Sequence, residues 1–175
     1  RNKAYFIGFQ PWEASSGLRI VGARVRYTLS PTIDPQTNPT KTISGINFSP
    51  SGSDLTYRAL GAKLFALALS SGRSFQASLS LPTNIHINKI TFYFKDNNAA
   101  NISFTGRYYF PLTGNYQDLV NGSSSDASAS FRTITFSNIG SAMGVFDTYD
   151  MVARLRVVLG VEGQDMYLVG AKVEY

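Results

Sequence analysis

The chain carries one histidine, His86, and no cysteine. A serine-type triad would have to run through that imidazole, yet His86 sits between Ile85 and Ile87 at the start of an alternating stretch, the setting of a structural or surface residue. Thiolate nucleophiles, disulfides and zinc–cysteine sites are excluded. Two carboxylate pairs, Asp147 with Asp150 and Glu162 with Asp165, have the residue types of a glycosidase acid and base, which stand roughly 5 to 10 Å apart across a cleft. Each pair falls in a Gly-rich or Tyr-rich turn, where solvated loop carboxylates are expected instead. The chain is therefore read as a non-enzyme.

Oxygen ligands are more plentiful. Asp96 and Asn98 share one turn with Asn97 and Asn101, and Asp147 with Asp150 forms a second group. These are the calcium candidates, since Ca²⁺ takes six to eight oxygens. Asx residues also simply make good turns, which is the stronger reading. No other cofactor is expected. Among the aromatics, Trp12, Tyr108, Tyr109, Tyr116 and Tyr149 are the rings from which a glycan platform would be built. Strand alternation buries about half of such rings, so Tyr108 reads as core, and Trp12 and Tyr109 stand as the glycan-binding candidates. Three N-glycosylation sequons begin at Asn47, Asn101 and Asn121, but in a chain rich in Asn, Ser and Thr chance explains them as well.

Composition narrows the class. A chain of 175 residues is one domain by size and needs no metal or disulfide to fold. Charged residues are sparse, whereas aromatics, Gly, Ser, Thr and Asn are abundant, the profile of an all-β secreted or cell-surface protein. The net charge of +5 is scattered one or two residues at a time, with no basic run, so no specific nucleic-acid partner is expected. No stretch approaches the ~20 apolar residues of a membrane span, and no charged segment precedes an apolar one as in a signal peptide. The expectation is an extracellular mature chain without membrane insertion.

Three regions differ in composition: a strand-forming arm over residues 1–30, a connector over 31–42 with Pro31, Pro35 and Pro39, and a region of short strands over 43–175. Strands are predicted at 43–48, 73–80, 127–137 and 151–159, and Leu60 to Leu69 fits a helix or a strand. Ile87 to Lys95, with Ile90, Phe92 and Phe94 on one face, and Ile102 to Phe110, with Ile102, Phe104, Tyr108 and Phe110 on one face, read as the two arms of a hairpin, with Gly106 marking a bulge or a close backbone approach. Asn121 to Ser130 reads as a polar loop. In the strand at 151–159, Ala153, Leu155, Val157 and Leu159 face inward, with Arg154 and Arg156 outward. About ten strands and no helices to cover a parallel sheet predict an all-β β-sandwich, a jelly roll, with an N-terminal strand arm.

One internal echo stands out. Leu18 to Tyr27 reads LRIVGARVRY, and the last ten residues, Met166 to Tyr175, read MYLVGAKVEY. Identity at half of the positions is within reach of chance, but Leu18/Met166, Ile20/Leu168 and Arg24/Lys172 keep size or charge, and both copies present a Val-Ala-Val-Tyr face. Leu81, Pro82, Ile87, Ile90, Phe92 and Asp96, together with Gly170, Val173 and Tyr175, follow a recurring pattern. It is a Leu-Pro, a long strand ending in Asp, and a terminal strand with an internal Gly and a final Tyr. In these residues the chain resembles a group of poorly characterised secreted bacterial β-sandwich domains, over roughly residues 43–175. The resemblance implies a fold and no catalytic residues. It also implies that Leu18 to Tyr27 is a domain-closing strand placed before its domain.

The function expected on this basis is a non-enzymatic extracellular structural subunit of a filament, sheath or surface layer. It would polymerise with copies of itself by β-strand addition, or donor-strand exchange, through its arm. Leu18, Ile20, Val21, Ala23, Val25 and Tyr27 would be the assembly residues. The alternative is a lectin-like carbohydrate-binding sandwich that meets glycans through Trp12 and Tyr109. A small jelly-roll capsid protein is a further alternative, weakened by the missing basic arm.

Overall fold

Alternating apolar side chains give each strand one dry face, and two such sheets bury those faces by stacking. The computed structural model describes residues 39–68, 74–82, 85–110, 113–139, 152–160 and 165–175. Within them the strands are β1 (Thr40–Ser44), β2 (Ser49–Pro50), β3 (Thr56–Leu60), β4 (Lys63–Ala68), β5 (Phe75–Leu79), β6 (Lys89–Asp96), β7 (Ser103–Phe110), β8 (Asn115–Ser123), β9 (Ser128–Ser137), β10 (Val152–Val158) and β11 (Met166–Glu174). One 3-10 turn, Gly45–Asn47, separates β1 from β2. A six-stranded sheet runs β3-β4-β11-β6-β9 with β1 also paired to β11, and a five-stranded sheet runs β2-β5-β10-β7-β8. The pairings are antiparallel, and the expected all-β sandwich is what forms. The arm at 1–30 and most of the connector lie outside the described residues. The end of the connector, from Thr40, already runs in β1.

The ambiguous stretch at Leu60 resolves as strand. Gly61, at a φ of 59°, turns the chain between β3 and β4, a conformation glycine adopts without a Cβ penalty. The expected hairpin of β6 and β7, in contrast, does not form. β6 lies between β11 and β9, and β7 lies between β10 and β8, in the other sheet. Their apolar faces are the predicted ones, but they meet across the interior instead of lying side by side. Phe104 of β7 stacks 4.9 Å from Phe92 and 4.8 Å from Phe94, both of β6. The actual partner of β7 is β8, whose first residues carry too few apolar side chains to read as a strand. The predicted polar loop from Asn121 is correspondingly shorter, since Asn121–Ser123 are still strand.

The crossover from β6 to β7 is fastened by Asp96, which is fully buried. One carboxylate oxygen accepts the Ser124 hydroxyl, and the other accepts the Asn98 amide at 3.3 Å. Ser124 Oγ in turn accepts the Ile102 amide at 2.7 Å, and the Ser124 amide donates to the Ile102 carbonyl at 2.9 Å. Both ends of the crossover therefore hang on one side chain. Replacing Asp96 by alanine leaves buried donors unmatched and is expected to cost about 1–3 kcal/mol. A urea denaturation midpoint equal to that of the parent would show that the carboxylate is no anchor.

Tyr108 faces the same core from β7. Burial disfavours its phenolate and pushes its pKa from 10.0 up to about 12. The unfolded chain therefore sheds this proton first as pH rises. The stabilisation is fully present below pH 10.0 and is lost on the way to about pH 12. Urea melts at pH 9 and pH 11 should show that fall, and Tyr108→Phe should make it shallower. A variant that loses as much stability as the parent over this interval would rule out the assignment.

β11 has neighbours on both edges. β6 pairs along one, from Met166↔Asp96 to Glu174↔Lys89, and β4 and β1 share the other, at Leu168↔Leu64 and from Ser44↔Gly170 to Thr40↔Glu174. Gly170 sits at a register shift where β1 comes so close that a Cβ would be driven into the Ile43 carbonyl oxygen. The slot beside the last strand, which the echoed arm was expected to need, is thus filled by the chain's own β1 and β4.

Candidate functional site

The outward residues of the five-stranded sheet bring aromatic and charged side chains together. On β7, Phe104, Gly106 and Tyr108 point inward, so Arg107 and Tyr109 point outward. On β10, Ala153, Leu155 and Val157 are buried, leaving Arg154 and Arg156 on the outer face as their alternation predicts. Register then sets the neighbours: Tyr109 lies opposite Tyr116, Arg107 opposite both Asp118 and Arg154, Arg154 opposite Ser78, and Arg156 opposite Gln76.

A bulge decides this composition. The register of β7 and β8 shifts between Gly106 and Arg107, so that Gly106 faces Val120 while the next residue faces Asp118. The extra residue, Leu119, inverts the alternation of the first half of β8 and turns Tyr116 and Asp118 outward. Gly106 permits the close inter-sheet packing at this point, since a Cβ there would stand 3.1 Å from both Ile90 and Val120 side chains.

The contacts are tight. Arg107 Nε donates to Asp118 Oδ1 at 2.7 Å, and its guanidinium carbon lies 3.9 Å from the Tyr116 ring centroid and 5.8 Å from that of Tyr109. Burial works against the Arg107 charge, but its bonds to Tyr109 and Asp118 outweigh that and hold its pKa above the ordinary value. The two tyrosine rings are 6.0 Å apart, inclined at 46°. Arg154 lies 4.6 Å from the Tyr109 ring, and its buried Nε has no hydrogen-bond partner among the described residues. Tyr116 keeps 57% of its surface exposed. Such a face offers flat apolar rings beside fixed hydrogen-bond donors, the combination that holds the apolar face and the hydroxyls of a sugar ring together.

The outer face of the six-stranded sheet is different in kind. Phe65, Tyr167 and Phe131 pack against one another at 5.0 and 5.8 Å, beneath Lys63 and Arg58, and only Phe131 is well exposed, at 65%. A shallow depression of about 360 Å³ beside them is lined by Tyr93, Phe131, Arg132, Thr133 and Val169. Those rings are largely occupied with each other.

Of the glycan candidates read from the sequence, Tyr109 lies on the outer face of the five-stranded sheet, between Tyr116 and Arg154, and Trp12 falls outside the described residues. Arg107, Asp118 and Arg154 were not singled out as site residues; only the outward alternation of Arg154 was a signal. Among the calcium candidates, Asp96 is turned inward onto Ser124 and Asn98, and Asn98 Oδ1 accepts the Ala100 amide at 2.9 Å in an Asx turn. Asp147 and Asp150 fall outside the described residues. No three His, Asp or Glu side chains cluster as metal ligands among the described residues. His86 is exposed, and Asp165 pairs with Lys95 at 3.3 Å.

Solved structures share this architecture. The xylan-binding module CBM15 superposes with a TM-score of 0.51 at 15% identity, covering 78% of this chain and 96% of that one. A low-affinity xylan-binding module, CBM86 from Roseburia intestinalis, gives 0.42 at 14% identity, over 78% of this chain and 95% of that one. The exo-β-1,3-galactanase of Phanerochaete chrysosporium gives 0.47 at 11% identity, over 77% of this chain and 29% of that one. No family model and no curated protein matches the sequence. The chain has the β-sandwich fold of carbohydrate-binding modules.

This corrects the expected filament subunit. The shared fold is that of carbohydrate-binding modules, and β11 offers no open edge to an arm carrying Leu18, Ile20, Val21, Ala23, Val25 and Tyr27, residues that themselves lie outside the described structure. Donor-strand exchange and a homopolymer lose their physical basis with it.

Proposed function

We propose that this protein is a non-catalytic, extracellular carbohydrate-binding sandwich that holds a polysaccharide chain against the outer face of its five-stranded sheet. The observation that carries this reading is the pairing of Tyr109 with Tyr116, two rings 6.0 Å apart beside an arginine fixed at 2.7 Å by Asp118. A pyranose stacks its C–H face on Tyr116, and Tyr109 and the guanidinium of Arg107 border the next unit, with hydroxyls accepting from the arginine. The carbohydrate-binding fold supports the same reading, and the name of the CBM15 module makes xylan a natural first member of a test panel.

The test is affinity electrophoresis of the full chain through gels containing xylan, glucan, galactan, mannan and acidic polysaccharides. Retardation in at least one gel, with no release of reducing ends, is the expected result. Unaltered mobility in every gel would overturn the proposal.

A further inference from the structure

Three arginines, Arg107, Arg154 and Arg156, stand on the outer face of the five-stranded sheet, and Asp118 is the carboxylate that joins them there among the described residues. Asp118 is already engaged by Arg107. Arg154 lies directly across the strand pair from Arg107, an opposition of like charges that destabilises a sheet unless something offsets it. Its other in-register neighbour is the uncharged Ser78. No carboxylate among the described residues forms an ion pair with Arg154, its buried Nε has no hydrogen-bond partner among them, and its guanidinium carbon lies 4.6 Å from the Tyr109 ring centroid, within cation–π reach. A cation with no described carboxylate partner therefore stands beside the stacking ring.

We infer that the polysaccharide taken by this face carries uronate carboxylates, and that Arg154 is the residue that receives them, its planar fork matching a carboxylate in two parallel hydrogen bonds. This rests on the glycan-binding reading of the same face. A neutral hydroxyl satisfies one donor and leaves the charge of Arg154 without a counter-charge, whereas a carboxylate gives Arg154 what Asp118 already gives Arg107. The net charge of +5 favours the approach of such a polyanion, and added salt weakens its binding.

The experiment is isothermal titration of the parent and of Arg154→Gln and Arg154→Lys with polygalacturonate, with glucuronoxylan, with the carboxyl-reduced form of each, and with dextran sulfate. The parent should bind a carboxylated polymer roughly 10- to 100-fold more tightly than its reduced form. Arg154→Gln should erase that difference, and Arg154→Lys, which keeps charge without the fork, should restore part of it. Equal affinity for native and reduced polymers would overturn the uronate assignment and leave the glycan-binding reading standing. Dextran sulfate binding as tightly as the uronates would overturn it too, by showing a response to charge alone. Binding of no polymer of any kind would remove the glycan-binding reading itself. The comparison of native with reduced polymers uses the parent alone, so it holds even if a variant fails to fold.

Discussion

Replacing Tyr109 and Tyr116 together by alanine is expected to weaken polysaccharide binding about 100-fold, with each single replacement costing about tenfold. A ring that covers one sugar face removes ~50 Å² of apolar surface from water, which at ~25 cal/mol per Å² is worth ~1.3 kcal/mol. The rings stand 6.0 Å apart and share Arg107 between them, so the two losses need not add, and both single variants belong in the measurement. Tyr116 is 57% exposed, and its removal should leave the unfolding midpoint nearly unchanged. Tyr109 also supports Arg154, so its variant must be checked for folding by thermal melting before binding is compared. Tyr→Phe at either position keeps the ring and should keep most of the affinity. A double alanine variant that binds the best polysaccharide ligand as tightly as the parent would move the site off this face.

The largest stability loss is expected at Phe104. Its side chain is fully buried, extends from the five-stranded sheet, and stacks on Phe92 and Phe94 of the opposite sheet. Phe104→Ala empties the space between the sheets at the point where they contact through three rings, and neither sheet can close that gap without moving strands. The expected cost is about 3–5 kcal/mol, a large share of the total stability of a domain of this size. Phe104→Leu should recover much of it. The contrast is Phe131→Ala on the outer face of the six-stranded sheet, where a 65% exposed ring should be worth about 0.5 kcal/mol or less. Urea denaturation of the three variants checks the ordering, and a Phe104→Ala loss near that of Phe131→Ala would contradict the described core.

How much of this was legible differs between elements. The inward set on β10 and the core faces of β6 and β7 follow from period-two alternation, and each falls where the sequence predicted. The same alternation misled at the turn after Asp96. Two apolar-faced strands joined by a short polar segment look alike whether they pair edge to edge or face each other across a core. β8 was invisible because NYQDLVNGS carries few apolar residues, and its bulge breaks the very alternation by which strands are recognised. The echo between Leu18–Tyr27 and Met166–Tyr175 is real as a pattern of residues. Its mechanical reading failed because β1, a short and nearly featureless strand, takes the place beside β11.

Side-chain alternation is a local property of a pleated strand, so the all-β class, the strand faces and the outward placement of Arg154 and Arg156 were legible from the residues alone, while Tyr109 stood open between core and surface. Only the tertiary structure decided that β7 lies between β8 and β10. That neighbourhood brings Tyr116, Asp118 and Arg154 to Tyr109 and Arg107 and makes scattered residues one face. Strand order is set by hydrogen-bonded partners and by the burial of both sheets at once, contacts between residues far apart in the chain that no local pattern encodes.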